Sequence, residues 1–251
     1  MNFLKLFNRG LKGNVCISYP KSGRTWVKFA LTVANAPVHY NHGGYASRDP
    51  KQLGYKFKGL RKAYFGERNI YLHRNPIYTA VSEFHQIHNR IFNPSHPKYE
   101  QIKQRLIEIN LVPPSEIDEF VLHPIWGCAK VSEFNRAHIK YFSKKPNAKL
   151  VSYEDLKANP ADKFAELLDF VGVHDYDIER IVVESSFDNM RKIELSADAD
   201  IKKKHSLYGM KNNNENSRKV RKGKVMGYLD ALSPGTVEKA RKICAKHGFS
   251  A

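Results

Sequence analysis

The stretch Ser18-Tyr19-Pro20-Lys21-Ser22-Gly23-Arg24-Thr25-Trp26 constrains the fold more than any other part of this 251-residue chain. Ahead of it stands a short apolar run, Val15-Cys16-Ile17, of a length that suits a buried strand. Behind it, residues 27–34 are apolar enough for a buried helix. A small, hydroxyl-rich, basic turn between strand and helix gathers backbone N–H groups at a helix N-terminus, where they converge on an anion. The spacing therefore predicts a phosphate cradle. It departs from the Gly-Lys-Ser/Thr order of a nucleoside triphosphate loop, because Lys21 and Ser22 precede Gly23. A triphosphate with magnesium is not the natural ligand of such a turn.

The same alternation recurs along the chain. Residues 69–73 read as a second strand, after which Asn75 is placed to cap a helix and Pro76 to open it, with Ile77, Ala80, Val81 and Phe84 at helical spacing. Ile102, Leu106 and Ile109 stripe another helix. Ser115 with Asp118 makes a capping box for one carrying Ile117, Phe120 and Val121, and residues 126–142 form a longer one. Residues 149–153 read as a third strand, Pro160 opens a helix that ends near Gly172, and Ser233-Pro234 starts a last one that stops at Gly248. Strands separated by helices imply an α/β fold, a single domain over residues 1–251 with a central, mainly parallel sheet flanked by helices. Residues 38–59 read as an irregular connection. Residues 1–13 read as a flexible lead-in with at most weak membrane-surface contact, and the Lys- and Asn-rich residues 197–219 as a mobile loop.

The net charge of +17, from 42 Lys and Arg against 25 Asp and Glu, directs attention to anionic partners: nucleic acid, a membrane surface, or sulfated or phosphorylated molecules. Three scattered cysteines, Cys16, Cys128 and Cys244, show no metal-ligand spacing, which favours a reduced, cytoplasmic protein without a metal. No apolar run approaches the ~20 residues of a membrane span.

Further motifs add to the cradle. Arg74 stands at the C-terminal end of the second strand, where open α/β sheets bind ligands, and Ser82 follows two turns into the next helix. An Arg fork and a hydroxyl can clamp a second phosphate. Tyr153 offers a ring to stack on, or a hydroxyl to bond, a base; Arg221-Lys222-Gly223 sets cations around a Gly. Each alone has a plain alternative, such as an exposed Lys at an ordinary turn or a solvated run of charge.

Together they resemble the cytosolic-type sulfotransferase family, whose members transfer sulfuryl from 3'-phosphoadenosine 5'-phosphosulfate. Tyr19-Pro20-Lys21-Ser22-Gly23-Arg24-Thr25-Trp26 is similar to its strand-loop-helix signature, and Arg74-Asn75-Pro76 with Ala80-Val81-Ser82 to its strand-helix signature. Tyr153 to Lys157 matches a Tyr-Glu-Asp-Leu-Lys segment, Arg221-Lys222-Gly223 the late Arg-Lys-Gly, and Ser185-Ser186-Phe187 a Thr-Ser-Phe segment. The resemblance implies a P-loop-like nucleotide-binding fold. It implies Lys21 on the 5'-phosphate and the leaving oxygen, with Ser22, Gly23, Arg24 and Thr25 in the 5' loop and Trp26 near the adenine. Arg74 and Ser82 would take the 3'-phosphate, Arg221, Lys222 and Gly223 would close over it, and Tyr153, Ser185 and Phe187 would surround the base.

Two positions depart from the pattern. Arg24 stands where Thr is commoner, and the family's catalytic His usually follows a Lys-Thr pair. The best match is His42 in Tyr40-Asn41-His42, which lacks that Lys; His39 is its rival. The implied chemistry is in-line attack of an acceptor hydroxyl on sulfur, with His42 taking the proton and Lys21 meeting charge on the leaving oxygen. No metal is implied. The polar residues between His85 and Trp126 lean to a carbohydrate-like acceptor. Three alternatives stay open at this point: a P-loop-like small-molecule kinase, a basic nucleic-acid-binding module, and a sulfotransferase-like protein that binds nucleotide without catalysis.

Overall fold

A computed structural model describes residues 11–43, 59–94, 96–196, 198–204, 207 and 227–249. The apolar runs of the sequence become strands β1 (Asn14–Ser18), β3 (Arg68–His73) and β4 (Ala148–Ser152), joined by a fourth, β2 (Val38–Asn41). All pairings are parallel, and the order is β2-β1-β3-β4. Strand β2 corrects the expectation of an irregular connection from residue 38. Its residues, Val-His-Tyr-Asn, carry little apolar signal because an edge strand need bury only part of its surface, and His39 is exposed.

Helices follow most strands: α1 (Arg24–Val33), α2 (Pro76–Gln86), α3 (Tyr99–Glu108), α4 (Ile117–Leu122), α5 (Cys128–Phe142), α6 (Tyr153–Ala158), α7 (Pro160–Val171), α8 (Ile178–Glu184), α9 (Phe187–Leu195), α10 (Ala199–Lys204) and α11 (Pro234–Lys246). Helix α10 falls within residues 197–219, so part of the expected mobile loop is helical. The lead-in is tied down at its end, where the Leu11 N–H donates to the Phe65 carbonyl at 2.7 Å.

The described residues pack as two compact units. The first comprises residues up to 43, 59–74 and 137–207; the second comprises 75–136 and 227–249. In the first, β1 is buried from Val15 to Ser18 and β3 from Asn69 to Leu72, and α1 packs against α7 and α8. Phe164, Leu167, Leu168 and Val171 supply the inner face of α7. Burying such side chains contributes roughly 1.5–3 kcal/mol each, the main favourable contribution to folding this layer.

In the second unit, α2 starts as the sequence predicts. Asn75 accepts from the N–H groups of Ile77 and Tyr78 at 3.0 and 3.2 Å, and Pro76 is the first helical residue. Helix α2 runs on into a wider π turn over Ile87–Ile91. Its inner face joins Val121, Cys128, Tyr228, Val237, Ala240 and Cys244 in one apolar cluster. The capping box at Ser115 is a correction: Glu116 precedes α4 without a side-chain cap, and Asp118 Oδ1 instead accepts from the Ser233 N–H at 3.2 Å, tying α4 to the start of α11. Among the described residues no helix is long and apolar enough to cross a membrane.

Candidate functional site

Strand β1 has β2 on one side and β3 on the other, so the chain leaves it first one way and then the other. The C-terminal ends of β1 and β3 therefore flank a switch point, the place where open parallel sheets bind ligands. The turn after β1 lies there. Its backbone leaves the ordinary regions twice, at Lys21 with φ 68° and at Gly23 with φ 96°. Gly23 is the N-cap of α1, and the N–H groups of Trp26 and Val27 donate to its carbonyl at 2.9 and 3.3 Å. Among the described residues no side chain caps α1, and its first turn holds no acid, so the positive end of the helix suits an anion.

The hydroxyls are buried here. Ser18 and Ser22 are fully covered, and neither Oγ has a hydrogen-bond partner among the described residues. A covered hydroxyl left unbonded costs about 1–3 kcal/mol, which a bound oxyanion would recover. Cradle, hydroxyls and helix end all fit a phosphate.

Arg74 joins the turn from the end of β3. Its Nη1 donates to the Lys21 carbonyl at 3.2 Å, and its guanidinium carbon lies 4.0 Å from the centre of the Tyr153 ring. Tyr153 is the first residue of α6, set by Ser152, whose Oγ accepts from the Asp155 N–H at 2.9 Å. The ring lies so close to the turn that a Cβ on Gly23 would come within 2.4 Å of Tyr153 Cδ2. Trp26 meets Tyr153 edge-on at 5.8 Å between ring centres and Phe164 at 5.3 Å. The sequence suggested a base as the partner of Tyr153; the structure puts Arg74 on its face. Nothing local in the sequence marks that contact, since the two residues are far apart in the chain.

His42 follows β2, and its Nδ1 lies 2.9 Å from the Ser18 carbonyl oxygen. A carbonyl can only accept, so the neutral imidazole carries its proton on Nδ1 and its lone pair on Nε2. His39, the rival, is exposed on β2. The Ser18 carbonyl as the group that orients the imidazole was not visible in the sequence.

Arg24 gains a setting. Its charge acts on Cys16, on Tyr40 and on Lys28 one turn along α1, so it works on the β1–β2 side. Burial pushes the Cys16 thiol up to about 12, with Arg24 opposing. Burial first and Arg24 second hold the Lys28 ammonium below its ordinary value, and its Nζ lies 5.7 Å from the Tyr40 ring centre. At the end of β3, burial lowers His73, partly offset by Asp155.

Ser185 closes α8 with its Oγ buried and without a hydrogen-bond partner among the described residues, and Phe187 opens α9 behind the Ser186 cap. Thr25 is half-buried on the first turn of α1. Ser82 lies on α2 in the second unit, half-buried. Arg221, Lys222 and Gly223 lie outside the described residues. Also among the described residues, no group of three or more His, Cys, Asp or Glu could hold a metal.

Comparison with known proteins adds three findings. Residues 55–248 match the family model of the sulfotransferase domain; the match includes Arg74, Tyr153 and Ser185 but not the turn at 18–24 or His42. Mouse sulfotransferase SULT7A1 complexed with PAP superposes with a TM-score of 0.58 at 17% identity, covering 97% of this chain and 86% of that one. Retinol dehydratase in complex with androsterone and inactive cofactor PAP gives 0.58 at 15% identity, covering 97% and 83%. A second retinol dehydratase structure, with retinol and PAP, gives 0.56 at 16%. No curated protein sequence matches the chain.

Proposed function

The chain belongs to the sulfotransferase domain family, and from that premise we propose that it moves a sulfuryl group from 3'-phosphoadenosine 5'-phosphosulfate to the hydroxyl of a polar, carbohydrate-like acceptor. One observation carries the donor assignment. The uncapped α1 N-terminus, the buried Ser22 hydroxyl and the Arg74 guanidinium converge on one turn, and that turn lacks the order a triphosphate loop needs. The solved relatives of the same fold were crystallised with PAP, the desulfated form of that donor, which agrees with the reading.

In this assignment the α1 N–H groups, Ser22 and Thr25 hold the 5'-phosphate and Arg74 the 3'-phosphate. Ser82 and Arg221-Lys222-Gly223 are further 3'-phosphate ligands by resemblance alone, as Trp26, Ser185 and Phe187 are for the adenine. The acceptor oxygen forms its bond to sulfur as the bond from sulfur to the bridging phosphate oxygen breaks. The hydroxyl proton passes to His42 Nε2, and the Lys21 ammonium meets charge growing on the leaving oxygen. Positioning and charge stabilisation account for the catalysis, as in phosphoryl transfer.

The test is calorimetric titration with PAP and with ATP plus magnesium, followed by transfer of radiolabelled sulfuryl to pooled polar and phenolic acceptors. PAP binding in preference to ATP, with label on a carbohydrate hydroxyl, is the expected result. Preference for ATP with magnesium overturns the donor assignment, and label on phenols or sterols alone overturns the acceptor class.

A further inference from the structure

We propose that Cys128 and Cys244 are a modification site, a thiol pair that hydrogen peroxide converts to a disulfide joining α5 to α11. The inference goes beyond the sulfuryl-transfer reading and does not depend on it. Of the chain's three cysteines, these two come together in the second unit, both at 0% exposure within its apolar cluster. Neither is in a disulfide in the structure described.

Hydrogen bonds place the pair. The Cys128 thiol lies 4.0 Å from the Ala240 carbonyl oxygen, and the Ser132 hydroxyl donates to Cys244 Sγ at 3.7 Å. Cys128 and Ser132 stand one turn apart on α5, as Ala240 and Cys244 do on α11, so consecutive turns of the helices face each other. The two thiols are themselves hydrogen-bonded. The backbone behind them is held in place. At Gly127 a Cβ would run into the Val121 carbonyl of α4, and Asp118 of α4 accepts from the Ser233 N–H at the start of α11.

These bonds give the two sulfurs different parts. A buried thiol with apolar neighbours alone keeps its proton and is inert. Cys244 instead receives hydrogen bonds from Cys128 and then Ser132, which hold its thiol below the ordinary value against burial. The same bond, and then burial, push the Cys128 thiol up. Cys244 is therefore the attacking sulfur and Cys128 the resolving one. The Cys244 thiolate displaces hydroxide from the peroxide: an S–O bond forms, the O–O bond breaks, and the proton Cys244 released turns hydroxide to water. The Cys128 sulfur then attacks the sulfenic acid on Cys244. The S–S bond forms, the S–O bond breaks, and the oxygen leaves as a second water with the Cys128 proton. Two thiols are oxidised and one peroxide is reduced to two waters. Peroxide is close to water in size, so local opening of the last helix suffices to admit it.

The experiment treats the full chain with hydrogen peroxide, then counts thiols after denaturation, maps linked peptides and records thermal melting. The expected product links Cys128 to Cys244 and leaves Cys16 as the thiol still counted. Because the link closes a long stretch of chain, melting should rise by about 5 °C or more and fall back on adding dithiothreitol. In Cys128→Ala the reaction should stop at a sulfenic acid on Cys244, which dimedone captures. Cys244→Ala should give about tenfold less dimedone adduct, and Cys16→Ala should behave as wild type. Three thiols still counted after peroxide, or a link that includes Cys16, overturns the proposal. A dimedone adduct as large in Cys244→Ala as in Cys128→Ala also overturns it. The wild-type count and map decide the matter even where a variant fails to fold. Titration with PAP reads the donor assignment separately, so either reading can fail alone.

Discussion

In the turn after β1, buried hydroxyls and half-buried cations sit on a backbone driven twice into the left-handed region; in the second unit, Glu83 and Lys130 are buried as deeply as those hydroxyls on two ordinary helices. Lys130 is 1% exposed, with its Nζ 5.7 Å from the centre of the Trp126 ring. Burial pushes its ammonium down to about 8, and the Glu83 carboxylate works against that shift. Burial and then Lys130 also lower nearby His123. The helical pair answers charge with charge from within the fold. The turn gathers donors of one kind and bends its backbone to aim them. Deep polar burial does not by itself mark a binding site; what sets the turn apart is burial on a strained backbone at a strand end.

The contrast can be broken most forcefully at His42. His42→Ala is expected to lower kcat by about 10²–10⁴-fold with unfolding unchanged, whereas His39→Ala leaves kcat within about twofold. Steady-state kinetics with radiolabelled donor measures both, and similar losses in the two variants would remove the tautomer argument.

Next in size is the pH response of Lys130. The unfolded amine keeps its proton up to about 10.5, while the folded one releases it near pH 8. Between those values the unfolded chain binds more protons, so stability rises with pH across that window, by on the order of 3 kcal/mol in total. Lys130→Met should lack that rise. Urea unfolding at a series of pH values reads the difference, and parallel curves for the two proteins would refute it.

Gly23→Ala brings a Cβ against Tyr153 at a φ of 96° and should cost about 1–3 kcal/mol of stability, together with weaker PAP binding. A variant with unchanged melting and unchanged PAP affinity would show that the ring moves freely. The smallest effect is the most discriminating. Ser22→Ala removes an unbonded buried hydroxyl, so stability should hold or rise slightly while PAP affinity falls about fivefold. If Ser22→Ala instead lowers the melting temperature, the hydroxyl serves the fold and the contrast weakens.

Strands β1 and β3 were legible because central parallel strands read as unbroken apolar runs, edge strand β4 because Leu150-Val151 keeps a short apolar run, and α2 because Asn75-Pro76 carries its own start chemistry. Edge strand β2 and polar α10 were not, since neither buries enough to leave a pattern. Ser115 shows the limit of local reading: a capping box there needs the helix to begin one residue earlier than it does. Lys21, Ser22, Gly23 and Arg74 stood out as a candidate anion site from residue type and place alone. The pairing of Arg74 with Tyr153, and of His42 with the Ser18 carbonyl, depends on which strands become neighbours, and no local pattern encodes that.

The left-handed backbone of Lys21 has a consequence for how this sequence can drift. Gly and Asn take that conformation with less strain than Lys does. A library selected for expression or heat resistance alone should therefore enrich Gly or Asn at position 21 and discard the ammonium. A library selected for turnover should hold Lys there against that pull, making position 21 a sensitive reporter of which demand a population has met.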